Sequence, residues 1–365
     1  MKKLIIGLLI VSTSYAYAIE YNYLKPAHEQ YQDIIINNVV VSPGVRECAN
    51  RYEALHTFLK NYNRPFTMLD IGASQGYFSF RAAHDFPDSS CVMIEGGYSA
   101  EWQIAQQLQD LCQLNTDLKN ITFLQKKISV DELIQLGHCE HFDVTLLFNI
   151  AHHFGPLWKD LLDAIFALGD HVIIETPTAQ ENSICGPIEK YIKDKGGILI
   201  CQTPRHTNPQ LKGNMYLIQG SKKQICKSYW NQANLQNNWH INSNFDHKTL
   251  IKKLEEPTTL INWLPGINLM TFKMLHGTFP TTQMIKTNML SLNYQKHMDP
   301  FLWNLIINGQ KLTFIDCKDQ TLIERFDPEK CMLFNQQLLH IENAQDLTDF
   351  LKEQPHWKFC INSAT

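Results

Sequence analysis

The chain has 365 residues, of which 44% are hydrophobic and 19% are charged, a composition that suits a globular protein of about two domains. Its formal net charge of −4 leaves no basic footprint for nucleic acid. The 10 cysteines form no C-x-x-C motif and no Cys/His cluster with zinc spacing, so no metal site is predicted.

The first residues are typical of a secretory signal peptide. Two lysines precede an apolar run from Leu4 to Val11, and the stretch ends with Ala-Tyr-Ala at 16–18, an A-x-A cleavage pattern. The run is too short to span a bilayer, so no membrane span is predicted in the mature chain. We therefore predict a signal peptide over 1–18 and an exported location, periplasmic or secreted. Without a genuine signal the location is cytoplasmic. Residues 19–47 form an N-terminal extension that packs on the sheet or covers the ligand pocket.

The segment from Phe66 to Phe80 carries the strongest functional signal. Its sequence, FTMLDIGASQGYFSF, predicts a buried strand over Thr67 to Ile71, then a glycine turn, then a helix. Asp70 lies where the strand ends, and Gly72 and Gly76 bracket a turn whose backbone can approach a ligand closely. A strand, turn and helix of this kind place a ligand at the carboxyl edge of an α/β sheet.

The turn favours one class of ligand. A dinucleotide-binding turn has the pattern G-x-G-x-x-G, but here Ser74 takes the place of the middle glycine. A carboxylate beside the turn suits a ligand with cationic groups better than a pyrophosphate. The chain here resembles the class I S-adenosylmethionine-dependent methyltransferases, whose first motif is an acidic residue followed by alternating glycines. The resemblance implies S-adenosylmethionine as a small-molecule donor, bound by Asp70, Gly72, Ser74, Gly76 and Phe78.

Further elements follow in the order that such a sheet requires. The predicted strands are Ser90–Gly97, Ile121–Ser129, Phe142–Gly155 and His171–Pro177. The segments 197–204 and 214–220 resemble the antiparallel hairpin that closes the sheet in the same family. The predicted helices are Tyr77–His84, Ala100–Leu114, Leu157–Leu168 and Pro187–Lys195. Because strands and helices alternate, we predict an α/β fold with a doubly wound, mostly parallel seven-stranded methyltransferase sheet over residues 48–220.

Polar residues lie where these strands end. Glu95 comes about 25 positions after the first acid, where it is placed to accept hydrogen bonds from both ribose hydroxyls. The resemblance places Ser129 at the adenine. Asn149 is predicted to contact the donor or the acceptor. His152 or His153 is predicted to be the base that takes a proton from the acceptor, and the alternative is that both histidines only pack the strand exit.

No motif identifies the acceptor. The N-P-P-Y type signature of amino-group methylation on bases is absent, because the sequence here is Asn-Ile-Ala-His over 149–152. Glu175 and Thr176 end the fifth strand and are placed to line an acceptor pocket. Oxygen and nitrogen nucleophiles both stay open, so the prediction is a methyltransferase with an O or N acceptor.

The C-terminal part carries a second constellation. His297-x-Asp299 is followed by Asn304, and Asp316 lies beyond a predicted hairpin with an Asn-Gly turn at 308–309. This spacing resembles the catalytic loop and metal-binding aspartate of the protein-kinase and aminoglycoside-phosphotransferase superfamily. In that superfamily the first Asp receives the acceptor hydroxyl proton, and the Asn and the last Asp hold magnesium.

Other parts of a kinase are missing from the sequence. No glycine-rich phosphate loop precedes the constellation, and the last Asp is followed by Cys-Lys rather than Phe-Gly. We therefore predict that the smaller α+β kinase-like unit over 246–365 is inactive. The asparagine-rich stretch 231–244 predicts a loop, so we place a linker between the two units over 221–245. The alternatives are a small-molecule or protein phosphotransferase fused to a donor-binding module, a non-catalytic nucleotide-binding protein, and, for the constellation, a plain hairpin with polar ends.

Overall fold

The computed structural model of the protein describes residues 30–97, 104–221, 224–226, 238–252, 259–262, 264–276 and 305–314. The predicted signal peptide lies outside these residues. Across the described ranges, no helix combines the length and apolar character needed to cross a membrane.

A seven-stranded sheet forms the centre of the fold. In chain order its strands are β3 (Thr67–Ile71), β4 (Ser90–Glu95), β5 (Ile121–Gln125), β6 (Phe142–Phe148), β7 (Gly169–Thr176), β8 (Ile198–Pro204) and β9 (Lys212–Gln219). The spatial order is β5-β4-β3-β6-β7-β9-β8, and β9 runs in the opposite direction to the other six strands. The strand order reverses between β3 and β6, which is where α/β sheets bind ligands. This sheet confirms the predicted doubly wound, mostly parallel methyltransferase fold.

Helices cover both faces of the sheet. They are α1 (Ala49–Leu59), α2 (Tyr77–Asp85), α3 (Ile104–Leu114), α4 (Val130–Cys139), α5 (Trp158–Leu168) and α6 (Cys185–Asp194). Alternate residues of β4 point to opposite faces, so Cys91 and Met93 pack with α1 to α3, while Val92 and Ile94 pack with α4 to α6. Each face therefore has its own apolar core.

Two predicted strands are shorter in the structure than in the prediction. The strand predicted to reach Ser129 ends at Gln125, because Ser129 caps α4 in a reciprocal capping box with Glu132. The strand predicted to reach Gly155 ends at Phe148, and a 3-10 helix follows over Ala151–Leu157. The first strand ends early because Ser129 makes local capping hydrogen bonds, and the second because Asn149 has a left-handed backbone that a strand cannot continue.

The described part of the N-terminal extension forms a hairpin. Its strands are β1 (Ile34–Ile36) and β2 (Val39–Ser42), joined by Asn37 and Asn38, which both have positive φ. Such a two-residue turn suits asparagine. Ile34 and Ile35 are buried in the core shared with α1 to α3, so the extension packs on the main domain.

The later described residues add two small antiparallel sheets and one helix. The first sheet contains β10 (Gln224–Cys226), β11 (Asn238–Ser243), β12 (Lys248–Lys252) and β13 (Thr259–Asn262); the second contains β14 (Ile267–Asn268), β15 (Leu305–Asn308) and β16 (Lys311–Phe314); α7 spans Leu269–His276. The predicted loop over 231–244 is wrong for the β11 residues, whose backbone pairs with β10 and β12. The predicted C-terminal hairpin is confirmed, but its turn is Gly309-Gln310, because Asn308 pairs with Lys311.

Buried ion pairs tie the β11–β12 region to the amino edge of the central sheet. Asp143, near the start of β6, accepts hydrogen bonds from Arg64 Nη2 at 2.7 Å, from Lys248 Nζ at 3.2 Å and from the Thr67 N–H at 2.7 Å. Burial works to raise the pKa of this carboxyl, but the Lys248 and Arg64 cations outweigh it and lower the pKa of Asp143. This edge of the sheet is closed by matched charges.

Candidate active site

The turn after β3 has the backbone that its sequence predicts. Gly72, Ser74 and Gly76 have φ values of 71°, 56° and 76°, all in the left-handed region. A Cβ on Gly72 would lie 2.7 Å from the Ile150 side chain, and a Cβ on Gly76 would lie 2.7 Å from Phe80, so neither position accepts a larger residue without rearrangement. Ser74 adopts the left-handed conformation although it carries a side chain, which is uncommon.

Asp70 is buried beside this turn. Its Oδ2 accepts a hydrogen bond of 2.9 Å from the Ser79 hydroxyl on α2, and among the described residues no basic side chain pairs with it. Burial raises the pKa of Asp70 to about 7; the Ser79 hydroxyl opposes this rise and the nearby Glu95 adds to it. Asp70 is thus a buried acid to which the described residues offer no cation.

Glu95, at the end of β4, closes the same side of the turn. Its Oε2 accepts the Ser74 N–H at 2.9 Å, and its Oε1 accepts the Gly97 N–H at 2.8 Å. No described residue forms a salt bridge with it. A carboxylate has about four acceptor positions, so Glu95 can still accept hydrogen bonds from two hydroxyl groups.

The N-terminal extension also contacts the turn. The Gln32 N–H donates to Gln75 Oε1 at 3.1 Å, and the Tyr77 N–H donates to Gln32 Oε1 at 3.1 Å. Gln75 in turn accepts from the Ser74 hydroxyl at 2.7 Å. The described part of the extension therefore packs on the core, one of the two roles that the sequence left open, and it also fixes the turn. Its covering of the ligand pocket stays a prediction.

Two other predicted donor-binding residues have structural roles that the sequence did not predict. Phe78 is buried, with its ring 4.7 Å from the Phe148 ring and 4.9 Å from Arg51 Cζ. Ser129 is exposed and caps α4. Their contact with a donor stays a prediction.

Asn149 leaves β6 in a left-handed conformation with φ of 58°. Its Nδ2 donates to Glu175 Oε2 at 2.6 Å, and its Oδ1 accepts from Arg205 Nη1 at 2.8 Å. The side chain therefore joins β6 to the ends of β7 and β8 at the carboxyl edge.

The same edge holds a group of buried and partly buried charges that we call the arginine cluster. It consists of Arg46, Arg51, Arg205, Glu175 and Glu181. Glu175 forms ion pairs with Arg46, with Arg51 Nη1 at 2.9 Å and with Arg205 Nη1 at 3.9 Å. Burial works to raise the pKa of Glu175, but the Arg51, Arg46 and Arg205 guanidiniums lower it. Arg205 Nε also lies 2.9 Å from Glu181 Oε2.

The predicted fifth strand places Glu175 at this position, but no sequence pattern indicates the arginines. Arg46 and Arg51 lie in the segment before β3, and Arg205 directly follows β8, so no local spacing joins them. Buried arginines are also rare. Only the strand order, which brings the carboxyl ends of β7 and β8 together, could have indicated the cluster.

His152 and His153 lie on the 3-10 helix that follows β6, with ring centroids 4.0 Å apart. Burial, together with the nearby His153 and Arg205, lowers the pKa of His152 to about 4. Burial also lowers the pKa of His153, which is the more exposed of the two. Both rings are therefore neutral at pH 7, the form in which imidazole accepts a proton.

The kinase-like constellation lies outside the described residues. This applies to His297, Asp299, Asn304 and Asp316. The described hairpin between them packs against the central domain, where the Gly309 N–H donates to Thr122 Oγ1 at 2.9 Å.

No protein-family model and no curated protein matches the chain. Several solved structures share part of its fold. The bifunctional kinase-methyltransferase WbdD has 15% identity and a TM-score of 0.45, over 92% of this chain and 99% of that one. The N-terminal domain of EvdMO1, with SAH and D-fucose, has 10% identity and a TM-score of 0.41, over 56% of this chain and 97% of that one.

A third structure is magnesium protoporphyrin IX methyltransferase ChlM from Synechocystis PCC 6803 with bound SAM. It has 14% identity and a TM-score of 0.36, over 47% of this chain and 78% of that one. Because these TM-scores are below 0.5, the fold assignment depends on the strand order of this chain and not on its neighbours. That order, in which the antiparallel β9 lies between β7 and β8, is consistent with the class I methyltransferase fold.

Proposed function

We propose that the protein is an S-adenosylmethionine-dependent methyltransferase. The observation that supports this best is the pair of buried carboxylates, Asp70 and Glu95, beside a left-handed glycine turn at the strand-order reversal. Two buried carboxylates with no cation among the described residues suit a ligand that brings positive charge and hydroxyl groups.

The residues present fit such a donor. Only one oxygen of Asp70 accepts a hydrogen bond from a described residue, so its carboxylate can still accept from an ammonium group. Glu95 has acceptor capacity for ribose hydroxyls beyond its bonds to Ser74 and Gly97. The left-handed turn keeps the site free of side chains at Gly72 and Gly76. When bound, the donor supplies a methyl group on a sulfonium, which is a good leaving group.

The chain's own contribution to catalysis is then to orient the acceptor and to take up a proton where the acceptor has one. His153 is the better candidate base of the two histidines. Burial gives His152 a pKa of about 4, which makes it a weak base at neutral pH, whereas the His153 ring is the more exposed. Asn149 is held by Glu175 and Arg205, and it orients groups at the boundary between donor and acceptor.

Isothermal titration calorimetry of the full chain with S-adenosylhomocysteine, ATP-magnesium and NAD tests this function. We expect saturable binding of S-adenosylhomocysteine alone. Binding of ATP-magnesium without S-adenosylhomocysteine would instead favour the phosphotransferase alternative, NAD binding would indicate a dinucleotide coenzyme, and no binding would favour a protein without a donor site.

Glu95→Gln refines the test. The amide keeps the size of the side chain but has one acceptor oxygen instead of two, so it cannot serve both backbone N–H groups and the ribose. We expect S-adenosylhomocysteine to bind about tenfold more weakly, which corresponds to about 1.4 kcal/mol. The exposed Glu53→Gln on α1 is the matched control, and an unchanged dissociation constant for Glu95→Gln would remove Glu95 from the site.

A further inference from the structure

The carboxyl edge of the sheet has two halves of opposite charge. Beyond β3 and β4 the buried groups are the carboxylates of Asp70 and Glu95. Beyond β7 and β8 lies the arginine cluster, with three guanidiniums and two carboxylates, which leaves one formal positive charge. Glu47, just before α1, is not counted in this charge, because among the described residues it forms no ion pair with the cluster. Its Oε1 instead accepts the Asn50 N–H at 2.8 Å.

Some N–H groups of the cluster have no hydrogen-bond acceptor among the described residues. The Nε of the fully buried Arg46 has no hydrogen-bond partner there, and neither has the buried hydroxyl of Thr176 at the end of β7. Arg205 uses Nη1 for Asn149 and Nε for Glu181, and its Nη2 makes no hydrogen bond to a described residue. Unlike the enclosed Arg46 Nε, Arg205 Nη2 is not fully buried, so a ligand oxygen can reach it and accept its hydrogen bonds.

We infer that the acceptor carries a monoanionic group, best matched by a carboxylate, and that Arg205 binds this group. The inference rests on the proposed function and adds the substrate class. One negative charge neutralises the cluster, whereas a dianionic phosphate would exceed it. Arg205 keeps both N–H groups of Nη2 and one of Nη1 beyond its bond to Asn149, so its guanidinium can give a planar carboxylate two N–H donors. The donor's positive charge and the acceptor's negative charge then each meet the half of the edge with opposite sign.

Three probes that differ only in their head group test the inference: benzoate, benzamide and phenyl phosphate. Each is titrated into the full chain at pH 8 and constant ionic strength, with and without S-adenosylhomocysteine, and binding is followed by ligand-observed NMR. We expect benzoate to bind at least about tenfold more tightly than the other two. Equal binding of the three probes would overturn the inference, and tighter binding of phenyl phosphate would overturn the monoanionic assignment.

Variants locate the bound group. Arg205→Gln is expected to weaken benzoate binding at least about tenfold, and Arg205→Lys, which keeps the charge but loses the planar fork, is expected to weaken it less. The control is Lys212→Gln, an exposed lysine at the first position of β9, opposite Pro204 on the same edge. Benzoate binding that survives Arg205→Gln, or falls equally in Lys212→Gln, would refute the role of Arg205.

The outcomes separate this inference from the proposed function. If S-adenosylhomocysteine binds but benzoate does not, the methyltransferase assignment stands and the carboxylate site is refuted. If benzoate binds through Arg205 in a protein that never binds S-adenosylhomocysteine, the carboxylate site stands and the donor assignment fails. Should Arg205→Gln not fold, the comparison of benzoate with benzamide on the unaltered chain, together with Arg205→Lys, still decides.

Discussion

Two buried aspartates lie at opposite edges of the central sheet and have opposite surroundings. At the amino edge, Asp143 is paired with Arg64 and Lys248, which lower its pKa against the effect of burial. At the carboxyl edge, burial raises the pKa of Asp70 to about 7, since its one hydrogen bond from a described residue comes from the Ser79 hydroxyl. An acid that its own chain neutralises stabilises the fold, whereas an acid left without a cation leaves that position for a ligand.

The sharpest test of the amino edge is Asp143→Ala. Removing this carboxylate leaves the Lys248 and Arg64 cations without their partner and the Thr67 N–H without its acceptor. We expect the free energy of unfolding to fall by about 3–5 kcal/mol, as measured by urea denaturation. Asp88→Ala, at an exposed turn, is the control and should change it by less than about 0.5 kcal/mol. A small effect at Asp143 would mean that the amino edge is not held by matched charges.

Asp70→Asn should have the opposite effect: it should weaken ligand binding without lowering the stability of the fold. The amide can still accept from the Ser79 hydroxyl, and it removes a buried charge that no described cation balances. We expect the free energy of unfolding at pH 8 to stay constant or to rise by about 1–2 kcal/mol, because ionised carboxylates are costly to bury. The affinity for S-adenosylhomocysteine should fall about 30-fold, the loss of about 2 kcal/mol expected for a charged hydrogen bond. If Asp70→Asn destabilised the protein without affecting this affinity, the two edges would be alike.

The pH dependence of ligand affinity and of stability also tests the contrast between Asp70, which pairs with no described cation, and the paired Asp143. With a pKa of about 7, the ionised fraction of Asp70 falls about tenfold from pH 8 to pH 6, so the affinity for S-adenosylhomocysteine should fall about tenfold. The folded pKa lies above the unfolded value of about 3.9, so the contribution of Asp70 to stability is complete below pH 4 and is lost as pH rises through 7. Calorimetry and urea denaturation between pH 6 and pH 8 measure both trends, and Asp70→Asn should lack them. A pH-independent affinity in the parent protein would contradict the raised pKa.

The sheet could be predicted from the sequence because its strands are buried on both faces and are therefore nearly continuous apolar runs, as over 90–95 and 142–148. Helix α1 was missed because it has no capping signal: Cys48 precedes it and makes no side-chain capping bond. The β1–β2 hairpin was missed because its turn is Asn37-Asn38 and contains no glycine.

The acidic half of the carboxyl edge could be predicted because one short segment contains most of it. Asp70, the glycine turn and the helix that follows are contiguous, and Glu95 ends the next strand. The basic half, with the arginine cluster, could not be predicted, because Arg46 and Arg205 meet only when β8 is placed at the sheet edge and β9 is inserted beside β7. Local pattern finds a turn, but it does not find charges that tertiary structure alone brings together.

The smallest expected effect concerns the turn itself. Ser74→Gly restores the glycine that the methyltransferase pattern has at this position and relieves a left-handed conformation that costs a side-chain-bearing residue about 1 kcal/mol. Two losses oppose this gain in stability: glycine has more entropy in the unfolded chain, and the hydrogen bond from the Ser74 hydroxyl to Gln75 is removed. The gain and the losses nearly cancel. We expect the free energy of unfolding to change by less than about 1 kcal/mol and the S-adenosylhomocysteine affinity by less than about threefold. Ser74→Val, whose branched side chain resists positive φ, should lower both, because the Ser74 N–H must stay aligned with Glu95. If valine were tolerated as well as glycine, the left-handed turn would not be what positions the acidic half of the edge.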